Sequence, residues 1–193
     1  KQKNSNMIFY SKTIIITTLT THISLNKVSS LIKNKNYFYN KIIALNHTLI
    51  KDFNIRNPKL VICGINPHAG ENGLIGKEEV KYLKPIINKL NDNDIKINGP
   101  FSADSIFSKK NIKKYDCFVS IYHDQALIPF KLLSGLKGVN YTGSLKIIRT
   151  SPQHGTAYDL IYSNNASDLS LLNSFKLADK IYKNRLRKNI ELS

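Results

Sequence analysis

The sequence predicts an α/β fold in which a largely parallel sheet is flanked by helices. Three observations predict it. Nearly continuous apolar or β-branched runs recur at 12–20, 59–64 and 116–122, the pattern of strands covered on both faces. Stretches with helical spacing of apolar residues lie between and after them. No internal repeat, low-complexity linker or run of roughly 18–20 apolar residues interrupts this alternation.

Each element has its own signal. "KTIIITTLT", 12–20, is β-branched and reads as a strand. Ser24 is placed to cap a helix over Leu25–Lys33. A second helix covers about 37–53, with Ile42, Ile43, Leu49, Ile50 and Phe53 on or near one face. "NPKLVICG" gives a strand at 59–64. The helix predicted at 77–91 contains Pro85, which requires a kink or a restart. "DIKING" is a short strand, Ser108–Lys113 a helical turn, and "DCFVSIY", 116–122, a buried strand. Short strands are expected near Val139–Tyr141 and Lys146–Arg149. The last helix is expected from Asp168 to Lys188, capped by Ser167, with Leu171, Leu172, Phe175, Ala178 and Ile181 facing the core.

At 193 residues and 41% hydrophobic, the chain is long enough for one substantial domain or two small lobes. It opens on Lys1, and "KQKNSN" leads into no signal-peptide core, so a segment of a longer protein is expected. Cys63 and Cys117 fall within predicted strands as buried thiols and form no disulfide framework, which points to a reducing cytoplasm. The net charge of +16 admits a nucleic-acid surface. The lysines are nevertheless dispersed among asparagines and isoleucines, with no zinc-finger spacing, RNP motif or basic stripe. Neither nucleic acid nor membrane is the expected partner. A basic field also attracts a phosphorylated small molecule.

Three of the five histidines each follow a different predicted strand: His22, His68 and His123. His68 lies in "VICGINPHAGENG", where a strand empties into glycines. The carboxyl ends of parallel strands share one edge, and ligands bind there. Three neutral imidazoles with an open position suit a catalytic divalent cation. The plainer reading makes each a polar loop residue. His47 falls mid-helix and reads as structural or exposed, whereas His154 in "SPQHGTA" competes for the ligand role. "HAGENG" calls for positive φ or close backbone approach, and lacks the spacing of a dinucleotide or phosphate loop. Asp124 could orient His123 or cap the following helix. Lys131, Asn140 and Arg149 form a candidate phosphate site, a point charge and a fork around an amide.

Several stretches together carry a family resemblance: "TTHISL", "GINPHAGENG", "GPFSADSIF", "YDCFVSIYHDQALIPFK", "GVNYT" and "IIRTSPQHGTAYDL". In this order, over nearly the whole chain, they resemble the 4-hydroxythreonine-4-phosphate dehydrogenase family. That resemblance implies an NAD-dependent enzyme of pyridoxal phosphate (vitamin B6) biosynthesis, with NADP as the alternative cofactor. It would oxidise 4-phosphohydroxy-L-threonine to a 3-oxo acid that decarboxylates to 3-amino-2-oxopropyl phosphate. It also implies a homodimer with a divalent metal (zinc, cobalt or magnesium) at the interface, and two lobes like those of isocitrate and isopropylmalate dehydrogenases.

By the same resemblance the metal ligands and catalytic centre fall on His22, His68 and His123, and substrate binding on Lys131, Asn140 and Arg149. His154 moves from the ligand role to a loop near the cofactor. The chain begins well inside the family pattern, so an incomplete first lobe and an inactive isolated segment are expected. Ala126 stands where the family usually has glycine, and "YTGSLKIIR" departs from the usual stretch. Two rivals differ in class: a sister decarboxylating dehydrogenase of another phosphorylated hydroxy acid, and a basic non-enzymatic nucleic-acid-binding domain.

Overall fold

A computed structural model of the chain describes residues 5–153 and 167–190, with side chains to 187. A seven-stranded sheet runs in the order β4-β3-β5-β2-β1-β6-β7. The strands are β1 Asn6–Tyr10, β2 Ile15–Thr18, β3 Leu60–Cys63, β4 Ile97–Phe101, β5 Cys117–Ser120, β6 Val139–Gly143 and β7 Thr150–Pro152. β2, β5, β3 and β4 pair in parallel, whereas β1 is antiparallel to both β2 and β6, and β7 to β6. All strands but β1 and β7 therefore point the same way, and the expected largely parallel α/β sheet is present with an antiparallel flank.

Helices cover both faces. One face carries α1 Leu25–Leu31, α2 Lys35–Asp52, α3 Lys84–Asn91 and α7 Leu169–Ile190, whose Val28, Phe38, Leu45, Ile86, Leu177 and Ile181 join the larger core. The other carries α4 Ala103–Ile106, α5 Lys109–Lys114 and α6 His123–Ser134, packed through Ile106, Ile112 and Phe130 on Phe9, Val61 and Phe118. Burial alternates along β1: Ile8 belongs to the first core and Phe9 to the second. No helix among the described residues is long and apolar enough to cross a membrane.

Most elements form where expected. Ser24 occupies the α1 cap position, although its hydroxyl meets Asn26 rather than a backbone amide. Asn34 caps α2 by accepting from Tyr37 N, and Ser108 caps α5 by accepting from Asn111 N. Pro85 marks a restart: a π-helical turn, Glu79–Leu83, gives way to α3 with the proline in its first turn.

Four expectations need correction or addition. β1 escapes sequence reading because "NMIFY" is short and alternates weakly. It becomes central by pairing with strands on both sides. α4 is a single turn with too few residues to carry a period. The final strand is Thr150–Pro152, not Lys146–Arg149, because the carbonyls of Leu145 and Lys146 are taken by the Arg185 guanidinium.

The buried face of α7 is also different. It consists of Ser170, Ser174, Leu177, Ile181 and Asn184, while Leu171, Leu172 and Phe175 are exposed at 47%, 43% and 68%. The serines face inward because the helix lies against the backbone. Ser170 donates to Gly138 O at 2.6 Å and accepts from Gln153 N at 3.0 Å. Asn184 reaches Asp52 O at 2.8 Å.

Candidate active site

β2, β5 and β3 are neighbours in the sheet, so their carboxyl ends, Thr18, Ser120 and Cys63, share one edge. The three chosen histidines leave from this edge. His22 and His123 come together, with ring centroids 5.8 Å apart and planes inclined at 47°. Two imidazoles sharing one tetrahedral cation at about 2.0–2.1 Å per nitrogen have centroids roughly 5–6 Å apart. The spacing of the pair lies within that range.

Local chemistry explains the pairing. Leu19 N donates to Ser120 O at 2.9 Å, continuing the β2–β5 ladder past the strand ends. Thr20 then grips Ile121 O through both its amide, 3.1 Å, and its hydroxyl, 2.8 Å. Thr18 donates its hydroxyl to Thr20 O at 2.7 Å, turning the chain at the rim. His22 follows with φ 53°, a left-handed conformation that ordinary side chains avoid. His123 opens α6, and its Nδ1 lies 2.8 Å from Asp124 Oδ1. That contact favours the Nδ1–H tautomer and leaves Nε2 as the free donor nitrogen. Tyr122 holds the α6 cap position, so Asp124 orients the imidazole and the capping alternative is not realised.

Gln125, two residues on, is a residue that the sequence pattern does not single out. It is only 8% exposed. Its amide donates to Gly64 O at 2.8 Å, and its carbonyl accepts from Ile121 N at 2.7 Å. Gln125 thus ties the rim of β3 to the rim of β5. Its only sequence signal was a long amide side chain one turn after a strand, and that is too common to single out.

His68 is presented differently. It lies in the turn Pro67–Gly73, where residues 68–72 all have positive φ: 51°, 51°, 77°, 42° and 55°. All but Gly70 bear side chains, and each costs about 1 kcal/mol or more in this region. The expected need of "HAGENG" for positive φ is therefore met largely by non-glycine residues. His68 is exposed, and its field helps hold the Asp104 carboxyl below its ordinary value, after the larger contribution of the Ser102 hydroxyl. Among the described residues no three His, Cys, Asp or Glu side chains lie close enough to hold a metal ion. One chain therefore brings His22 to His123 without His68 completing a three-ligand group with them. Burial pushes the Cys63 thiol up to about 12 and raises Cys117 as well, so neither supplies a thiolate.

The phosphate candidates sit on the α6 face of the sheet. Asn140 pairs with Phe9 across β6 and β1, and Phe9 packs on Phe130 of α6 with ring centroids at 5.7 Å. Lys131 follows Phe130 in the last turn of that helix and is exposed. Thr142, on the same face of β6 as Asn140, accepts from Arg149 Nη1 at 2.8 Å. Asn140 Oδ1 is buried without a hydrogen-bond partner among the described residues. A buried acceptor without a partner among the described residues is a receptive polar position. His47 is exposed on α2, as a residue outside the site should be. His154 lies outside the described residues.

A sequence profile of the family described as "Pyridoxal phosphate biosynthetic protein PdxA" matches residues 1–178. The chain belongs to the PdxA family. A relative from Prosthecochloris aestuarii named 4-hydroxythreonine-4-phosphate dehydrogenase is 38% identical over 188 residues, 95% of this chain and 54% of its own length. The crystal structure of the Klebsiella pneumoniae 4-hydroxythreonine-4-phosphate dehydrogenase superposes with a TM-score of 0.80 at 35% identity, covering 92% of this chain and 53% of that one. A Salmonella typhi protein with the provisional name D-threonate 4-phosphate dehydrogenase is 37% identical over 89% of this chain and 52% of its own. This PdxA chain thus spans about half the length of the curated relatives it matches. The PdxA fold is the α/β sheet expected from the strand pattern.

Proposed function

We propose that this PdxA-family chain forms the metal- and phosphate-binding part of a 4-hydroxythreonine-4-phosphate dehydrogenase in pyridoxal phosphate biosynthesis. The supporting observation is the His22–His123 pair, 5.8 Å apart at the rim of three adjacent parallel strands. In this reading the two imidazoles and His68 hold one divalent cation, zinc, cobalt or magnesium. His68 stands apart within one chain, so it reaches the site from a second copy, and the working form is a homodimer. A cation held there supplies Lewis acidity to the hydroxyl being oxidised and to the carbonyl that replaces it.

The chain's own residues do the rest. Asp124 keeps Nε2 of His123 aimed outward. Lys131 and Arg149 hold the substrate phosphate by charge, and Asn140 Oδ1, without a partner among the described residues, accepts a hydrogen bond from the substrate. α6 rises about 1.5 Å per residue, so roughly 12 Å separates Lys131 from His123 along the helix, less the reach of the lysine. That span anchors a short phosphorylated hydroxy acid at one end and presents its reacting carbon at the other. NAD, with NADP as the alternative, would supply the hydride acceptor, and the resulting 3-oxo acid would lose carbon dioxide. The reaction is cytoplasmic.

A second reading, oxidation of a related phosphorylated hydroxy acid, draws on the 37% identity to the D-threonate 4-phosphate dehydrogenase relative. The two are separated by measuring NADH formation from 4-phosphohydroxy-L-threonine and from D-threonate 4-phosphate. The assay uses the 193-residue chain and the longest natural chain that contains it. Turnover of the first substrate, abolished in His22→Ala and His123→Ala, supports the proposal. Turnover of the second alone supports the rival, and turnover of the first that survives both substitutions overturns the site.

A further inference from the structure

The turn that carries His68 holds a run of left-handed residues, and something must keep it from relaxing. Glu79 is the group placed to do so. It is fully buried, eleven residues beyond His68 in sequence, at the start of the π-helical turn. Its Oε1 accepts from Ile65 N and Asn66 N, each at 2.8 Å, and its Oε2 accepts from Asn66 Nδ2 at 3.0 Å. The ion pairs among the described residues include none to Glu79. A buried carboxylate is satisfied only by partners that come to it, and here they all come from the two residues that lead into the turn.

The same carboxylate lies close against two of the glycines around His68. A Cβ on Gly64 would stand 3.0 Å from Glu79 Oε1, and one on Gly70 would stand 2.6 Å from Oε2. A Cβ on Gly76 would meet Asn66 Nδ2 at 2.2 Å, the amide that Glu79 holds. The loop closes on itself and on Glu79: a Cβ on Gly64 would also stand 2.8 Å from Ala69 Cα, and one on Gly70 2.6 Å from Gly76 O.

We infer that Glu79 is the positioning residue for His68: its carboxylate fixes the left-handed turn and so sets where the third imidazole is presented. This rests on the reading of His68 as a metal ligand. Outer partners of a ligating histidine change metal affinity by about 10–100-fold when lost. Glu79 acts one step further back, on the backbone that carries the ligand.

The test uses the intact chain with Glu79→Ala and Glu79→Gln. Histidine ring signals are read by NMR, and zinc affinity is read by competition with a chelator. In E79A the His68 signal is expected to shift and broaden while those of His22 and His123 stay in place, with zinc bound about tenfold or more weakly. E79Q keeps one acceptor oxygen and is expected to fall between E79A and the native chain. A folded E79A with an unchanged His68 signal and native zinc affinity overturns the inference. So does an equal disturbance of all three histidines, which would make Glu79 a general stability residue. Should E79A fail to fold, E79Q decides alone: a displaced His68 signal supports the inference and a native one overturns it. If the native chain binds no zinc, the metal reading fails, and the His68 signal still decides what Glu79 positions.

Discussion

Gln125 shows how one side chain can register two strand ends. Gly64 O and Ile121 N both depend on it, and both lie where water does not reach. Gln125→Ala leaves these groups unpaired, at a cost of about 1–3 kcal/mol each. We expect a urea midpoint lowered accordingly, together with a larger separation of His22 from His123 in a crystal structure of the variant. A second buried junction is unrelated to chemistry. Arg185 donates to both oxygens of Asp52, 2.7 and 3.1 Å away, while the Tyr141 hydroxyl donates to the same carboxylate. Burial, followed by the Asp52 carboxylate, drives the Tyr141 pKa upward. Asp52 is 2% exposed, so Arg185→Ala strands a buried charge. A loss of about 3–5 kcal/mol is expected in equilibrium unfolding, with Arg185→Lys losing less. None of this was legible beforehand, because Asp52, Tyr141 and Arg185 are far apart in sequence and each is unremarkable alone.

At the scale of the element, α7 is the clearest divergence from expectation. Two apolar stripes run along it, and helical periodicity cannot say which one meets the sheet. Ile181 is fully buried and Phe175 is 68% exposed. Ile181→Ala should therefore cost about 2–5 kcal/mol, while Phe175→Ala should stay within about 0.5 kcal/mol of the native chain in the same denaturation assay. The π-helical turn and its neighbours make a pH-dependent junction. Chiefly the Asn66 amide, helped by the Ser29 hydroxyl, holds the Glu78 carboxyl below its ordinary value. A depressed carboxylate stabilises the fold above its unfolded value, and that contribution is lost as pH falls through the folded one. Melting temperature measured from pH 6 to pH 3 should therefore fall more steeply in the native chain than in Glu78→Gln. By contrast, the restart at Pro85 was legible from the proline alone, since the geometry of its ring acts locally.

For the molecule as a whole, the metal reading makes a demand that one chain does not meet. His22 and His123 are neighbours, and His68 is not grouped with them. If two copies share each site, His68→Ala and the double variant His22→Ala/His123→Ala should each fail to bind zinc tightly. An equimolar mixture of the two, refolded together, should regain one site per mixed dimer, read by calorimetry. A mixture as inert as its components, beside a native chain that binds zinc, would sink the shared site. The excess of 29 basic over 13 acidic residues does not distinguish this from the nucleic-acid alternative. Binding to nucleic acid that survives loss of the histidines and fades steeply with salt would.

The buried strands β2, β3 and β5, the helix restart and the departure of three histidines from those strands were determined by the sequence itself. These follow from side-chain periodicity and backbone chemistry, which act over a few residues. The order β3-β5-β2, the approach of His22 to His123, the separateness of His68 and the inward face of α7 were decided only by tertiary structure. Each depends on contacts between segments tens of residues apart, where many pairings satisfy the same local pattern and only packing and buried hydrogen bonds choose among them.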